Sequence, residues 1–270
     1  MKVNGHTILI TGASYGIGAA LARRIALAGG QVVLLARTRD ALEHVADEVR
    51  TGGGQACIYP VDLADAAAVE RVAQAILAEV GPPDILINNA GAGRWLFLEE
   101  TDPAEAQAMM AVPYFAAFHV TRAFLPAMLR HGSGQIVNVN SPASLVAWPG
   151  ATAYTAARWA LRGFSEALRA DLHGTGLRVT EVIPGKVSST YFTHNPGTEA
   201  RAPWIAKLLG TITPEQAAAE MLRGIERGQR QIVLPFRYRL LYIIHRVWPG
   251  LVRWLAAATG ARRPNVKRKT

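Results

Sequence analysis

The feature that most restricts what this chain can fold into is the turn Thr11-Gly12-Ala13-Ser14-Tyr15-Gly16-Ile17-Gly18, set between the apolar run His6–Thr11 and a helical run that begins at Ala19. A glycine-rich turn alone is a common loop. Between a strand and a helix it carries more weight. Glycines at 12, 16 and 18 let the backbone turn tightly and approach a pyrophosphate, and the start of the following helix offers free N–H groups to its charge.

The rest of the chain repeats that alternation. Strand-like runs occur at His6–Thr11, Gln31–Arg37, Ala56–Val61, Asp84–Asn88, Gln135–Asn140, Leu177–Ile183 and Gln231–Leu234. They are rich in Val, Ile and Leu with little alternation, as strands buried on both faces are. Between them, Leu21, Ile25 and Ala28, and later Leu161, Phe164, Leu168 and Leu172, recur at helical spacing. The pattern predicts an α/β protein: a single Rossmann-type, doubly wound parallel sheet of about seven strands with helices on both faces, plus a C-terminal helical basic extension. With 270 residues, 50% of them hydrophobic, one core suffices. The expected division is a dinucleotide-binding and catalytic domain over residues 1–235 and a basic amphipathic extension over 236–270. Between them, Pro184 to Thr213 reads as the longest irregular stretch, expected to act as a substrate lid.

The cofactor is specified further at the end of the second strand. An acidic residue there would hydrogen-bond a ribose 2′-hydroxyl, but the sequence has Ala36-Arg37-Thr38-Arg39. Arg37 offers a planar cationic fork to a 2′-phosphate, so the expected cofactor is NADP(H). Asp62-Leu63 after the third strand and Asn88-Asn89-Ala90-Gly91 after the fourth also lie at carboxyl ends of strands. Asp62 is expected to contact adenine and the Asn89, Ala90, Gly91 backbone to wall the cofactor, although Asp, Asn and Gly also favour turns on their own account.

Together, Thr11–Gly18, Asp62, Asn88–Gly91, Ser141, Tyr154-Thr155-Ala156-Ala157-Arg158 and Pro184-Gly185 make the chain resemble the short-chain dehydrogenase/reductase family over roughly residues 5–235. The resemblance implies hydride transfer between a nicotinamide and a carbonyl or alcohol. It implies Tyr154 as acid/base and Ser141 polarising the substrate oxygen, and it extends the expected cofactor contacts to Pro184, Gly185 and Val187. It also implies a dimer or tetramer. The chemistry is consistent with the residues: a carbonyl reduction needs a proton for the developing alkoxide, and a positioned phenol supplies it when a nearby cation favours the phenolate.

Two positions depart from the family pattern. The lysine implied four residues after the tyrosine is Arg158, and the asparagine implied on the preceding long helix is Pro113. Arginine keeps the charge but does not readily give up a proton, since its pKa lies above roughly 12. Pro113 removes an amide side chain and a backbone donor, which predicts a kink and a freed Met109 carbonyl able to hold a water. Two readings result: an NADP(H)-dependent oxidoreductase with an altered relay, or an NADP(H)-binding sensor, scaffold or non-redox enzyme with little redox turnover.

Composition narrows the partners. Of the net charge of +9, all lies in residues 236–270, which hold nine Lys or Arg and no Asp or Glu; the remaining residues hold 20 basic and 20 acidic side chains. A neutral body argues against nucleic acid as a partner. In residues 236–259, apolar residues recur three and four apart among arginines, broken at Pro249-Gly250. Two short amphipathic helices with basic edges are expected, suited to a membrane interface, with Arg262 to Lys269 adding attraction to anionic lipid; the alternative is that they cover the domain's own pocket or a partner subunit. No secretion signal opens the sequence, and the expected location is cytoplasmic, peripheral at a membrane if the extension binds one. The dispersed histidines and the single Cys57, expected to be buried and inert, predict no catalytic metal. Trp95, Phe97, Trp148, Tyr191, Phe192 and Trp204 are expected to shape an apolar substrate pocket.

Overall fold

The computed structural model describes residues 1–189 and 191–263. Lys267, Arg268 and Lys269 of the basic tail lie outside the described residues.

Strand and helix alternate through most of the chain: β1 (Thr7–Thr11), α1 (Gly16–Leu27), β2 (Gln31–Ala36), α2 (Arg39–Thr51), β3 (Gln55–Pro60), α3 (Ala66–Glu79) and β4 (Ile85–Asn88). Then come α4 (Pro103–Met110), α5 (Ala116–His131), β5 (Gly134–Val139), α6 (Thr152–Asp171) and β6 (Leu177–Pro184). They are followed by β7 (Lys186–Val187), α7 (Tyr191–His194), β8 (Thr211–Ile212), α8 (Pro214–Glu226), β9 (Gln231–Leu234), α9 (Phe236–Val247) and α10 (Pro249–Thr259). Seven strands form one parallel sheet in the order β3-β2-β1-β4-β5-β6-β9, with Ile10 of β1 paired to Leu34 on one side and Ile87 on the other. The order reverses between β1 and β4, which opens a crevice at their carboxyl ends.

Side chains alternate across the sheet, so β1 feeds two cores. Ile8 and Ile10 pack with Leu21 and Ile25 of α1 and Met221 and Ile225 of α8; Leu9 packs on the other face with Ile76 of α3 and Phe124 of α5. Each such fully buried side chain contributes about 1.5–3 kcal/mol. Cys57, expected to be buried, is only half-buried because β3 is the edge strand of the sheet.

Two expectations about local structure are corrected. Pro113 does not simply kink its helix: residues Ala111–Phe115 form a π-helical turn between α4 and α5, in which the Ala116 N–H donates to the Ala111 carbonyl five residues back. A proline has no N–H to continue a four-residue ladder, and widening the turn by one residue absorbs the gap. Among the described residues, 103–131 is the single helical stretch long and apolar enough to cross a membrane, yet it is a core helix here, with Val120 and Phe124 fully buried against the sheet. Among its described residues, the stretch from Pro184 to Thr213 holds short elements joined by turns. β7 and β8 pair in parallel, and 3-10 turns at Glu199–Arg201 and Trp204–Leu209 fill the space between. Elements of two to six residues are too short to show a hydrophobic period.

Helices α9 and α10 pack beside this segment. Tyr238 of α9 is buried against Gly185, where any Cβ would collide with the tyrosine ring. Beyond α10, Arg263 pairs with Glu99 at 2.6 Å and stacks over Phe97.

Candidate active site

A cavity of about 740 Å³ runs along the carboxyl ends of the strands, from the turn after β1 to the inner faces of α9 and α10. Its first wall is the glycine turn, contributed by Gly12, Ser14, Tyr15, Gly16 and Ile17. Gly12 has φ +62°, and a Cβ there would stand 2.8 Å from the Ala90 Cα. Gly18 does not line the cavity. It sits behind the turn, where a Cβ would overlap the Gly12 carbonyl oxygen, so its role is to let α1 pack under the turn. No acidic side chain lies in the first turn of α1, so the field at the helix start stays positive toward the crevice.

Asn89 holds this turn in place. Its side-chain amide donates to the carbonyls of Thr11 (3.0 Å) and Gly12 (3.1 Å), while the backbone N–H groups of Asn89 and Ala90 donate to the Thr11 hydroxyl, each at 3.0 Å. The sequence points to the backbone of Asn89–Gly91 as a wall; the strut formed by the Asn89 side chain is legible only in three dimensions.

Arg37, Asp62 and Leu63 continue along the rim. Arg37 is exposed and, among the described residues, has no hydrogen-bond or ion-pair partner, whereas Arg39 next to it faces Glu43 at 3.7 Å. Asp62 is also exposed, and one carboxylate oxygen accepts the Ala64 N–H at 3.0 Å, an ordinary turn contact.

Deeper in the cavity, Ser141, Tyr154 and Arg158 converge, with 7%, 5% and 5% of their surface exposed. Ser141 lies two residues past the end of β5; its hydroxyl accepts the Ala143 N–H at 3.3 Å, which leaves its proton for a ligand in the cavity. Tyr154 and Arg158 are one turn apart on α6, on the same face. The Arg158 guanidinium carbon lies 5.1 Å from the centre of the Tyr154 ring, and its Nη1 donates to the Val139 carbonyl at 3.2 Å. Its Nη2 lies close against Gly91. Its Nε is buried with no partner among the described residues. Gly91, Pro184, Gly185 and Val187 complete this part of the lining.

Beneath Arg158 lies a polar pair that sequence reasoning missed. The buried Asn140 amide donates to the Arg158 carbonyl (3.1 Å) and to the Glu181 carboxylate (2.7 Å), whose other oxygen accepts from Gln231 at 3.1 Å. An acid inside the apolar run Leu177–Ile183 was the available signal, because buried carboxylates need partners.

Of the six aromatic residues expected at a pocket, Trp95, Trp148, Tyr191 and Phe192 line this cavity. Trp95 meets Trp148 edge-on at 5.0 Å, Tyr154 at 5.9 Å and Phe192 at 6.4 Å between ring centres. Tyr191 joins them: its hydroxyl donates to the Gly93 carbonyl at 2.7 Å, and burial first, then neighbouring Tyr154, hold it well above the usual tyrosine range, so it stays neutral. Trp204 is 56% exposed, and Phe97 is buried under Arg201 and Arg263 instead of lining the cavity. Tyr238, Leu241, Tyr242 and His245 of α9, with Val252 and Leu255 of α10, form the far wall. Among the described residues, no group of three or more His, Cys, Asp or Glu is placed to hold a metal ion.

A doubly wound parallel sheet, a glycine turn at its switch point and a serine and tyrosine over a buried cation define a Rossmann-type oxidoreductase. Residues 6–200 match the family model for short chain dehydrogenases. The chain is 34% identical over 257 residues to the fatty acyl-CoA reductase of Acinetobacter baylyi, covering 93% of this chain and 82% of that protein. It is 33% identical over 232 residues to the ketoacyl reductase HetN of a Nostoc species, covering 86% and 79%. Among solved structures, a metagenomic short-chain oxidoreductase in complex with NADP superposes with a TM-score of 0.73 at 31% identity, over 87% of this chain and 98% of that one. The chain belongs to the short chain dehydrogenase family.

Proposed function

We propose that this protein is an NADP(H)-dependent oxidoreductase that transfers a hydride between the nicotinamide and the carbonyl or alcohol carbon of an apolar small molecule. The observation that carries this reading is the convergence of Ser141, Tyr154 and Arg158 in the same cavity that begins at the glycine turn.

The residues present fit the cofactor. The turn leaves no room for side chains where a pyrophosphate would lie, the α1 N-terminus favours negative charge, and the unpaired Arg37 stands where a 2′-phosphate would need a cation. NADP is also the ligand of the similar metagenomic oxidoreductase. When bound, the nicotinamide supplies or accepts the hydride. Ser141 donates its free proton to the substrate oxygen, and Tyr154 gives that oxygen a proton in reduction and takes it back in oxidation. The Arg158 guanidinium places a fixed positive charge at the Tyr154 ring, beside the position of the substrate oxygen. Arg158 keeps its own proton, so it acts through its field. The Trp95, Trp148 and Phe192 wall favours an apolar substrate, as do the two relatives named for acyl substrates. Exposed Phe115 in the π turn, Phe118 on α5 and Trp159 on α6 support pairing with a second copy on that face.

The test is NADPH oxidation with a panel of apolar aldehydes and ketones, comparing wild type with Tyr154→Phe. The variant is expected to bind NADPH normally and lose about 10²–10⁴-fold in turnover. Unchanged turnover would refute the role of Tyr154; NADPH binding without turnover on any substrate would favour a cofactor-binding protein instead.

A further inference from the structure

The outer surface of the C-terminal helices is apolar in a way the cavity does not explain. On α9, Phe236, Leu240, Ile243 and Val247 recur four and three apart and are 71%, 51%, 54% and 64% exposed. Tyr238, Leu241 and His245 occupy the opposite stripe and line the cavity. The helix is therefore apolar on both sides, and one side has no partner within the described residues. Beside it, Trp248 and Trp254 are each 64% exposed, while Val252 and Ala256 of α10 point inward and are buried. Large apolar side chains crowded on one face of a protein mark a contact surface.

Charge selects the partner. Arg239, Arg246 and Arg253 are exposed on these helices without an ion-pair partner among the described residues, and residues 236–270 contain no acid. Tryptophans beside an apolar stripe edged by arginine match the interface of an anionic bilayer: rings and aliphatic chains enter the headgroup boundary while guanidinium groups meet lipid phosphates. With 12 and 11 residues, the helices are too short to cross a hydrocarbon core that takes about 20, so they lie on the surface.

We propose that α9 and α10 form a two-sided wall, docked by its outer face on an anionic membrane and closing the cavity with its inner face, so that an apolar substrate passes between lipid and the site along these helices. The substrate part rests on the function proposed above; the membrane part does not.

The experiment therefore measures binding separately from turnover. Full-length protein is sedimented with vesicles of phosphatidylcholine alone and of phosphatidylcholine with about one third phosphatidylserine, at low and high salt. Wild type is expected to bind the anionic vesicles about a hundred-fold more tightly than neutral ones, with a tryptophan emission blue shift that salt reverses. The double variant Leu240→Glu, Trp254→Glu alters only exposed side chains. It is expected to lose vesicle binding while keeping its thermal midpoint and NADPH affinity. Equal sedimentation of variant and wild type, or no wild-type binding to anionic vesicles, would overturn the proposal. So would a wild-type dimer that the variant converts to monomer without any vesicle binding, since a second copy would then be the occupant. Vesicle binding with no turnover on any apolar substrate would leave the docking surface standing and remove the substrate route alone.

Discussion

The guanidinium carbon of Arg158 sits 5.1 Å from the centre of the Tyr154 ring, and the same side chain is anchored to the Val139 carbonyl at 3.2 Å. The anchor fixes a permanent positive charge against the phenol, with both side chains almost fully buried, where electrostatic effects on a developing charge are strengthened. Arg158→Ala is therefore expected to lower kcat/KM by about 10²–10³-fold. Arg158→Lys keeps the charge but loses the fork that reaches Val139, and should stay within about ten-fold of wild type. Steady-state NADPH oxidation checks both. An alanine variant as active as wild type would mean that the cation has no part in the chemistry.

Arg37 is exposed and unpaired among the described residues, while neighbouring Arg39 faces Glu43. A hydrogen bond to a charged group contributes about 1.5–3 kcal/mol. Arg37→Gln should thus weaken NADPH binding by roughly 10- to 100-fold and leave NADH binding unchanged, as read by fluorescence titration with each cofactor. Equal weakening of both would assign Arg37 to the strand end instead of to a phosphate.

The sheet was legible in the sequence because its strands are buried on both faces, and such burial writes uninterrupted Val, Ile and Leu runs into the chain; β9 was located to the residue and the other six strands of the sheet to within one residue at each end. The glycine turn was legible because its neighbours fix its conformation locally. Contacts between distant segments were not. Asn89 reads as turn chemistry, yet its side chain holds the turn 77 residues away; Glu181 reads as one odd acid until Asn140 and Gln231 are placed beside it. Pro113 announces a disrupted ladder, but the choice between a kink and a π turn depends on the tertiary packing of Met109 and Val120, which are buried on either side of it. The inner stripe of α9 was unreadable for the same reason, since periodicity shows an apolar face without saying what it meets.

His245 places a titratable group in the far wall of the cavity, and it is held below the usual histidine range first by burial and then by the charges of Arg253 on α10 and Arg162 on α6. Its folded pKa is thus lower than its unfolded value of about 6.5. The stability linked to it is present above that value and is lost as pH falls through the folded pKa, because the unfolded chain takes up the proton first. Half exposure makes the effect small, on the order of 1 °C in the thermal midpoint. The sharper readout is catalytic. Protonation brings a charge to an apolar wall, so KM for an apolar substrate should rise as pH falls through the lowered folded pKa, and His245→Gln should remove that rise. A wild-type KM that stays flat from about pH 7 down to the acid limit of the folded state, and that matches His245→Gln throughout, would show that the substrate never meets this wall.

Pro113 is buried in the π turn, and its neighbour Val112 lines the cavity. If the missing N–H is the cause of the widened turn, Pro113→Ala restores a donor and lets the ladder return to four-residue spacing. Removing one residue from a turn rotates α4 by about 100° relative to α5, which would re-aim Val112. The expected result is a thermal midpoint unchanged or raised by a few degrees, since a helix-interior proline costs about 3 kcal/mol. The glycine turn lies on other elements, so NADPH affinity should hold within about two-fold while KM for the substrate changes by about five-fold or more. Hydrogen exchange at residues 111–116 reads the ladder directly. A midpoint lowered by several degrees, with KM unmoved, would show that packing around buried Met109 sets the π turn and that the proline only accommodates it.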